Sequence, residues 1–374
     1  MMARKDAPQF TAMVVDEHHD QLSCPKDRET AWKNLSTWAA KAKMPIILLS
    51  ATSPPCFQQK FIQNFHLESG STAFVRSPTN RPEIALHTIH LNPDHAVRAL
   101  AHLVYALMGR LKPQERMLVF FSACRQAESF AKDHGFAIYH SKFSDGEAGK
   151  NRNLLMWDDG VTKVMACTSA FGCGVDRPNV RFVVIFNPFH GLMATLQMAG
   201  RAGRDGRPSH AFYATSEPCP TFQPDNDLHM TQELGQLMHR KECKVYQAMS
   251  HMDGVSMARK CKDLPGQLPC DVCQPNGEMH VFAKQAVKNP TRPFIRPGTA
   301  VHASSAGEAA SPNVGTGFIT AHRVLEKMAM QTREAISNDE PCGGMHRTAD
   351  IFEGAGGVWP GANVRAYYRK GATD

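Results

Sequence analysis

Three groups of residues in this sequence have types and spacings that suit chemistry. The first is Asp16-Glu17, which closes the apolar run "FTAMVV". Adjacent carboxylates at the end of a buried strand can hold Mg²⁺ with one group and polarise an attacking water with the other. A solvated strand end has the same residues, so the pair needs support from elsewhere. The second group is "QMAGRAGRDGR", where Arg201 and Arg204 stand three apart. If that stretch is helical the two guanidinium groups share a face, and an arginine fork answers charge developing on a transferring phosphoryl group. The third is Cys243, Cys261, Cys270 and Cys273, separated by seventeen, eight and two residues. A closing Cys-x-x-Cys is a tight chelate, which suits a structural Zn²⁺ bound by four thiolates.

Two further strings sit where strands end. "LLSAT" carries Ser50 and Thr52, whose hydroxyls could hydrogen-bond to the carboxylates and relay the state of a nucleotide. "TSAFGCGVDRP" offers Gly172 and Gly174 for close backbone approach, with Asp176 as a polar anchor.

Such groups must be positioned by a sheet. "FTAMVVD", "PIILLSA", "RMLVFFS", "TKVMACT", "RFVVIFN" and "HAFYAT" are apolar almost throughout, as strands covered on both faces must be. Between them lie amphipathic stretches such as "DHAVRALAHLVYALMGRL", with Val97, Leu100, Ala101, Val104, Leu107 and Met108 on one stripe, and "RQAESFAKDH". The alternation predicts an α/β fold with parallel sheets. "RSPTNRPEIALH" marks a seam between two lobes. A helical region from about His229 to Arg259 precedes the cysteines, and from Gln274 onward the chain is rich in Gly, Pro, Ser and Ala, with one amphipathic stretch, "ITAHRVLEKMAMQTREAI". Most of that tail is expected to be disordered.

The balance of 42 basic and 35 acidic residues gives a net charge of +7, which permits nucleic-acid binding without requiring it. No apolar run approaches the roughly 18 residues of a membrane span, and the first residues lack a signal-peptide core. The expected location is the nucleus in a eukaryote, otherwise the cytoplasm, and not secreted.

The ordered series "VVDEHH", "LLSAT", "RPEI", "VFFS", "YHS", "TSAFGCGVDRPNVRFVV" and "QMAGRAGRDG" resembles superfamily 2 helicases, and among them the RecQ family of DNA helicases. The string "GRAGRDG" and the cysteine cluster disfavour an RNA helicase. The resemblance covers roughly residues 10–273. It implies two RecA-like lobes, the first partial over 1–80 and the second complete over 81–217, then a zinc-binding module over 218–275 and the tail from 276. It implies an ATP-dependent helicase moving 3′ to 5′ on DNA, with ATP, Mg²⁺ and Zn²⁺. In that pattern Asp16 and Glu17 become the Mg²⁺ and water-activating pair, and His19 links hydrolysis to DNA. Ser50 and Thr52 couple the lobes, Asp176 lies near the nucleotide sugar, and Gln197 lies near the nucleotide cleft. Arg201 and Arg204 contact phosphate, with Arg204 the more finger-like.

The sequence departs from the family's pattern in several places. No Gly-x-x-x-x-Gly-Lys-Ser/Thr string occurs, and only nine residues precede the first strand. The expectation is an N-terminally truncated chain with little ATP turnover, and the alternative is a catalytically dead remnant that binds DNA or a partner. His18 stands where the family usually has Ala, and Met198 where an acidic residue usually stands. Lys142, Lys150, Arg152, Arg177 and Arg181 read equally as backbone contacts to DNA or as solvated surface.

Overall fold

Apolar runs bounded by turn residues become strands, and the amphipathic runs between them become helices that cover the strands. The computed structural model describes residues 10–23, 26–41, 45–143, 146–172, 176–188, 190–216, 227–288 and 364–368. "ITAHRVLEKMAMQTREAI" and Gly174 lie outside the described residues.

The first segment contains β1 (Phe10–Val15), α1 (Asp20–Ser23), α2 (Lys26–Lys41), β2 (Ile46–Leu48) and α3 (Gln58–Asn64). β1 and β2 run parallel with Met13 opposite Ile46 and Val15 opposite Leu48, so their carboxyl ends reach the same edge. Met13, Val15, Trp32, Leu35, Ala39 and Phe65 form a small core. Trp32 belongs to it, whereas Trp38, two turns further on, is 49% exposed.

The second segment runs β3 (Ile84–His90), α4 (Ala96–Met108), β4 (Arg116–Phe120), α5 (Cys124–His134), β5 (Ala137–Tyr139), α6 (Gly146–Asp158), β6 (Val164–Cys167), β7 (Val180–Phe186), α7 (Gly191–Ala199) and β8 (Ser209–Thr215). These strands make one sheet in the order β3-β8-β7-β4-β6-β5, parallel throughout. Alternate residues feed two cores: Leu118 and Phe120 enter one, Met117 and Val119 the other. Burial on both faces is why these strands read as unbroken apolar runs.

α4 forms where the periodicity places it, and of the expected stripe Leu100, Ala101, Val104 and Leu107 are buried and Met108 packs against the core, Val97 alone departing. Ala99, Leu103 and Leu107 are buried, while Val97 is 57% exposed. β3 carries His87 and His90 and was not among the expected strands. His87 is buried, with Nε2 3.0 Å from His210 Nδ1, and it stacks on Phe212.

Beyond the sheet lie α8 (Thr231–His239), α9 (Lys244–Met252), the cysteine loop and α10 (Glu278–Lys288). α8 docks tightly beside α7: Leu192 N donates to His229 O at 3.0 Å. Gly191 permits this, since its φ is +79° and a Cβ there would sit 1.8 Å from His229 O. α10 lies in the stretch assigned to the tail, yet it is ordered against α4, with Arg110 4.4 Å above the Phe282 ring and 2.8 Å from Glu278. The cysteine loop runs along the outer side of β3, where Leu268 N donates to Pro82 O at 2.8 Å and Asp271 N to Leu86 O at 3.1 Å. Thr88 N returns a hydrogen bond to Asp271 Oδ2 at 2.7 Å. β9 (Val364–Tyr368) pairs antiparallel with β1.

Candidate functional site

Parallel pairing of β1 and β2 delivers Asp16 to His19 and Leu49 to Ser53 to one edge, the carboxyl edge where open α/β sheets bind ligands. The chain turns sharply after β1. Glu17 adopts φ +52°, a left-handed conformation that costs a non-glycine residue about 1 kcal/mol. Asp16 Oδ1 accepts from Glu17 N at 2.9 Å and steadies that turn. Glu17 Oε2 lies 3.4 Å from His19 Nδ1 and makes no hydrogen bond among the described residues. Burial pushes the Glu17 carboxyl above its ordinary range, with His19 and Arg201 opposing the shift and Asp16 and Asp20 reinforcing it.

His19 is buried and is the hub of the site. Ser50 Oγ lies 2.7 Å from its Nδ1 and Thr52 Oγ1 3.4 Å from its Nε2. From the other lobe, Gln197 Nε2 lies 2.8 Å from His19 Nε2 and donates to Thr52 Oγ1 at 3.0 Å. With Nε2 accepting from the amide, the ring carries its proton on Nδ1 and donates to Ser50. The hydroxyls were expected to reach the carboxylates; they reach His19 instead, because the turn at Glu17 brings the ring between the strand ends.

His18 has a different task. Its Nδ1 donates to Leu49 O at 2.9 Å and its ring meets Phe61 edge-on at 4.5 Å. Burial lowers its basicity, so this departure from the family pattern is a packed, neutral side chain holding the β2 end.

α7 ends at Ala199, so Arg201 and Arg204 lie in the turn that follows the helix, not on the helical face expected for them. Both line a cleft of about 200 Å³ with Glu17, Thr52, Gln197 and Arg81, walled on one side by Val245, Ala248, Met249 and Met252 of α9. Arg204 Nη1 donates to Asp176 Oδ1 at 2.7 Å, and that bond holds the exposed Asp176 carboxyl below its ordinary range. Arg177 grips Asp158 through two bonds of 2.8 and 2.7 Å. Arg181, buried, donates to Asp205 at 2.6 Å. Arg177 is thereby tied to the end of α6 and Arg181 to the arginine loop.

Arg81 was given no role from the sequence, although "RPEI" contains it. Its Nη1 donates to Gly200 O at 3.1 Å, and its Nη2 to Ala202 O and Gly203 O at 3.3 Å. Its Nε donates to Glu83 Oε1 at 2.5 Å.

The four cysteines converge. Their Sγ atoms all lie within 4.8 Å of one another, with Cys243, Cys261 and Cys270 buried and Cys273 exposed. Cys261 N and Cys270 N point at Cys243 Sγ and Cys261 Sγ, each at 3.4 Å. Hydrogen bonds from its neighbours hold the Cys243 thiol below its ordinary range. Four sulfurs at this spacing, with amides turned towards them, fit a tetrahedral Zn²⁺. Lys244, next to Cys243, is fully buried: Nζ donates to Leu237 O at 2.7 Å and lies 3.7 Å from Asp271 Oδ1. Neither Lys244 nor Asp271 carries a motif signal, since only the folded loop brings them together.

Comparison with known proteins agrees with this geometry. The helicase conserved C-terminal domain matches residues 96–206. The chain is 24% identical over 301 residues to the ATP-dependent DNA helicase hus2/rqh1 of Schizosaccharomyces pombe, covering 74% of this chain and 22% of that protein. It is 26% identical over 290 residues to the RecQ-like DNA helicase blm-1 of Caenorhabditis elegans, covering 70% of this chain and 28% of that protein. The chain thus spans about a quarter of these relatives' length. Among solved structures, Saccharomyces cerevisiae Dbp5 bound to RNA and ADP BeF3 superposes with a TM-score of 0.47 at 16% identity, over 74% of this chain and 63% of that one. In sequence the chain is thus similar to RecQ-like DNA helicases, and residues 96–206 carry the helicase conserved C-terminal domain.

Proposed function

We propose that this chain carries the water-activating, coupling and arginine-loop elements of an ATP-dependent DNA helicase that moves 3′ to 5′. Residues 1–80 act as first-lobe elements, 81–217 as the second lobe and 218–275 as a zinc module. The observation that carries the reading is the His19 hub, which touches the strand ends beside the carboxylates and Gln197 of the opposite lobe. A histidine bonded to both sides can convey whether the lobes are closed.

In this reading one carboxylate of the Asp16-Glu17 pair would hold Mg²⁺, which would neutralise phosphate charge there. The Glu17 carboxylate orients the water and accepts its proton, and its raised affinity for protons suits a base. Arg201 and Arg204 face charge developing on the phosphoryl group; Arg204 must leave Asp176, and Asp176 is then released towards the nucleotide sugar. Ser50 and Thr52 hold the His19 ring so that Gln197 can meet it. Cys243, Cys261, Cys270 and Cys273 would bind Zn²⁺ and, through Cys243 at the start of α9, would fix that wall of the cleft.

The test is ATP hydrolysis by the purified 374-residue chain with and without single-stranded DNA, against Arg204→Ala. Stimulation by DNA that the substitution abolishes supports the reading. Turnover indistinguishable from Arg204→Ala, with DNA still bound, would instead support a non-catalytic DNA-binding role.

A further inference from the structure

The seam residue Arg81 donates to three backbone carbonyls of the arginine loop without belonging to it. α7 stops at Ala199, so the carbonyls of Gly200 and Ala202 have no following helical turn to satisfy them, while Gly203 O accepts from Gly206 N at 2.9 Å. Arg81 donates to all three: Nη1 meets Gly200, and Nη2 meets both Ala202 and Gly203. These carbonyls flank Arg201 on both sides and end directly before Arg204.

The guanidinium is itself held. Nε is bound to Glu83, whose carbonyl accepts from Ser209 N of β8 at 2.8 Å. A Cβ on Gly203 would come within 3.0 Å of Glu83 Cγ, so the glycine leaves room for the pair to approach. The preceding residues are anchored too: Thr79 Oγ1 donates to Asp253 at 3.1 Å and Asn80 Nδ2 to Gln267 Oε1 at 2.9 Å. The strut therefore stands on β8, α9 and the cysteine loop at once. Only a planar fork with several N–H groups can make this set of bonds, and a lysine ammonium cannot span it.

We infer that Arg81 is a positioning residue: held by Glu83, it sets the backbone of residues 200–203 and thereby the directions of Arg201 and Arg204. The inference rests on the proposed reading only in supposing that those arginines meet phosphate. The experiment separates the two. Amide hydrogen exchange is measured in the full chain for wild type, Arg81→Lys and Arg81→Met, comparing residues 200–206 with β7. Pyrophosphate affinity is measured by calorimetry on the same proteins and on Arg204→Ala.

Both Arg81 variants should exchange about tenfold faster at the loop amides, such as Gly203 N, which donates to Val180 O at 3.0 Å. β7 should change less than the loop, and pyrophosphate should bind about tenfold more weakly. Unchanged loop exchange overturns the inference, as does a uniform acceleration that includes β7, which would mark general destabilisation. If wild type binds no pyrophosphate, the phosphate reading of Arg201 and Arg204 fails while the exchange data still decide the role of Arg81.

Discussion

Gln197 Nε2 and His19 Nε2 meet at 2.8 Å across the boundary between the two lobes. Nearly 180 positions separate them in the chain (|i−j| = 178), and the His19 ring is 4% exposed. The contact thus joins two separately built sheets through a buried polar pair.

That pair should be energetically coupled. His19→Ala, Gln197→Ala and the double variant, unfolded in urea, should show non-additivity of about 1 kcal/mol, the scale of one part-buried hydrogen bond. Costs that add to within about 0.3 kcal/mol would mean the lobes do not meet this way in solution.

The histidines beneath β3 predict an acid-sensitive fold. Burial drives His210 from its ordinary value of 6.5 down to about 4, so the folded protein keeps this ring neutral where the unfolded chain protonates it. Stability from this group is complete above 6.5 and is lost as pH falls from there to about 4. Melting curves of wild type and His210→Gln across that window should converge on acidification, wild type falling faster. Parallel curves would exclude the ring as the cause.

Gly191→Ala should be severe. The new Cβ would overlap the His229 carbonyl at 1.8 Å in a backbone of φ +79°. The loss should be about 3 kcal/mol or more, since the obstacle is backbone. A variant within about 1 kcal/mol of wild type in denaturant unfolding would show that α8 docks differently.

Zinc should be stoichiometric. Metal analysis of the purified chain should give about one equivalent, and Cys270→Ser less than about half. Because α9 starts at the residue after Cys243, that variant should also lose helical signal. Full metal content in Cys270→Ser would remove Cys270 from the ligand set.

Much of the fold was legible because the strands of a parallel sheet are buried on both faces and so spell continuous apolar words, as "RFVVIFN" does. β3 escaped because His87 and His90 interrupt its apolar pattern, and β5 because three edge residues carry too little signal. At the site, Asp16, Glu17 and the four cysteines were readable from type and spacing. The partners of Ser50 and Thr52 were not, since a left-handed turn at one residue redirected His19 between them. Arg81 was hidden for another reason: its bonds go to carbonyls, which every residue possesses, so no spacing of side chains announces it.

The cysteine loop along β3 has a consequence for the protein's behaviour in solution. Leu86 O and Thr88 N are satisfied there by Asp271, which lies between two of the proposed zinc ligands. Stripping the metal would release the loop and bare a row of backbone donors and acceptors that any other chain could extend. Chelation should therefore produce self-association before it produces global unfolding, visible as light scattering that rises while the circular dichroism of the sheet still persists. In this sense the proposed zinc module would guard against strand-to-strand oligomerisation as well as wall the cleft.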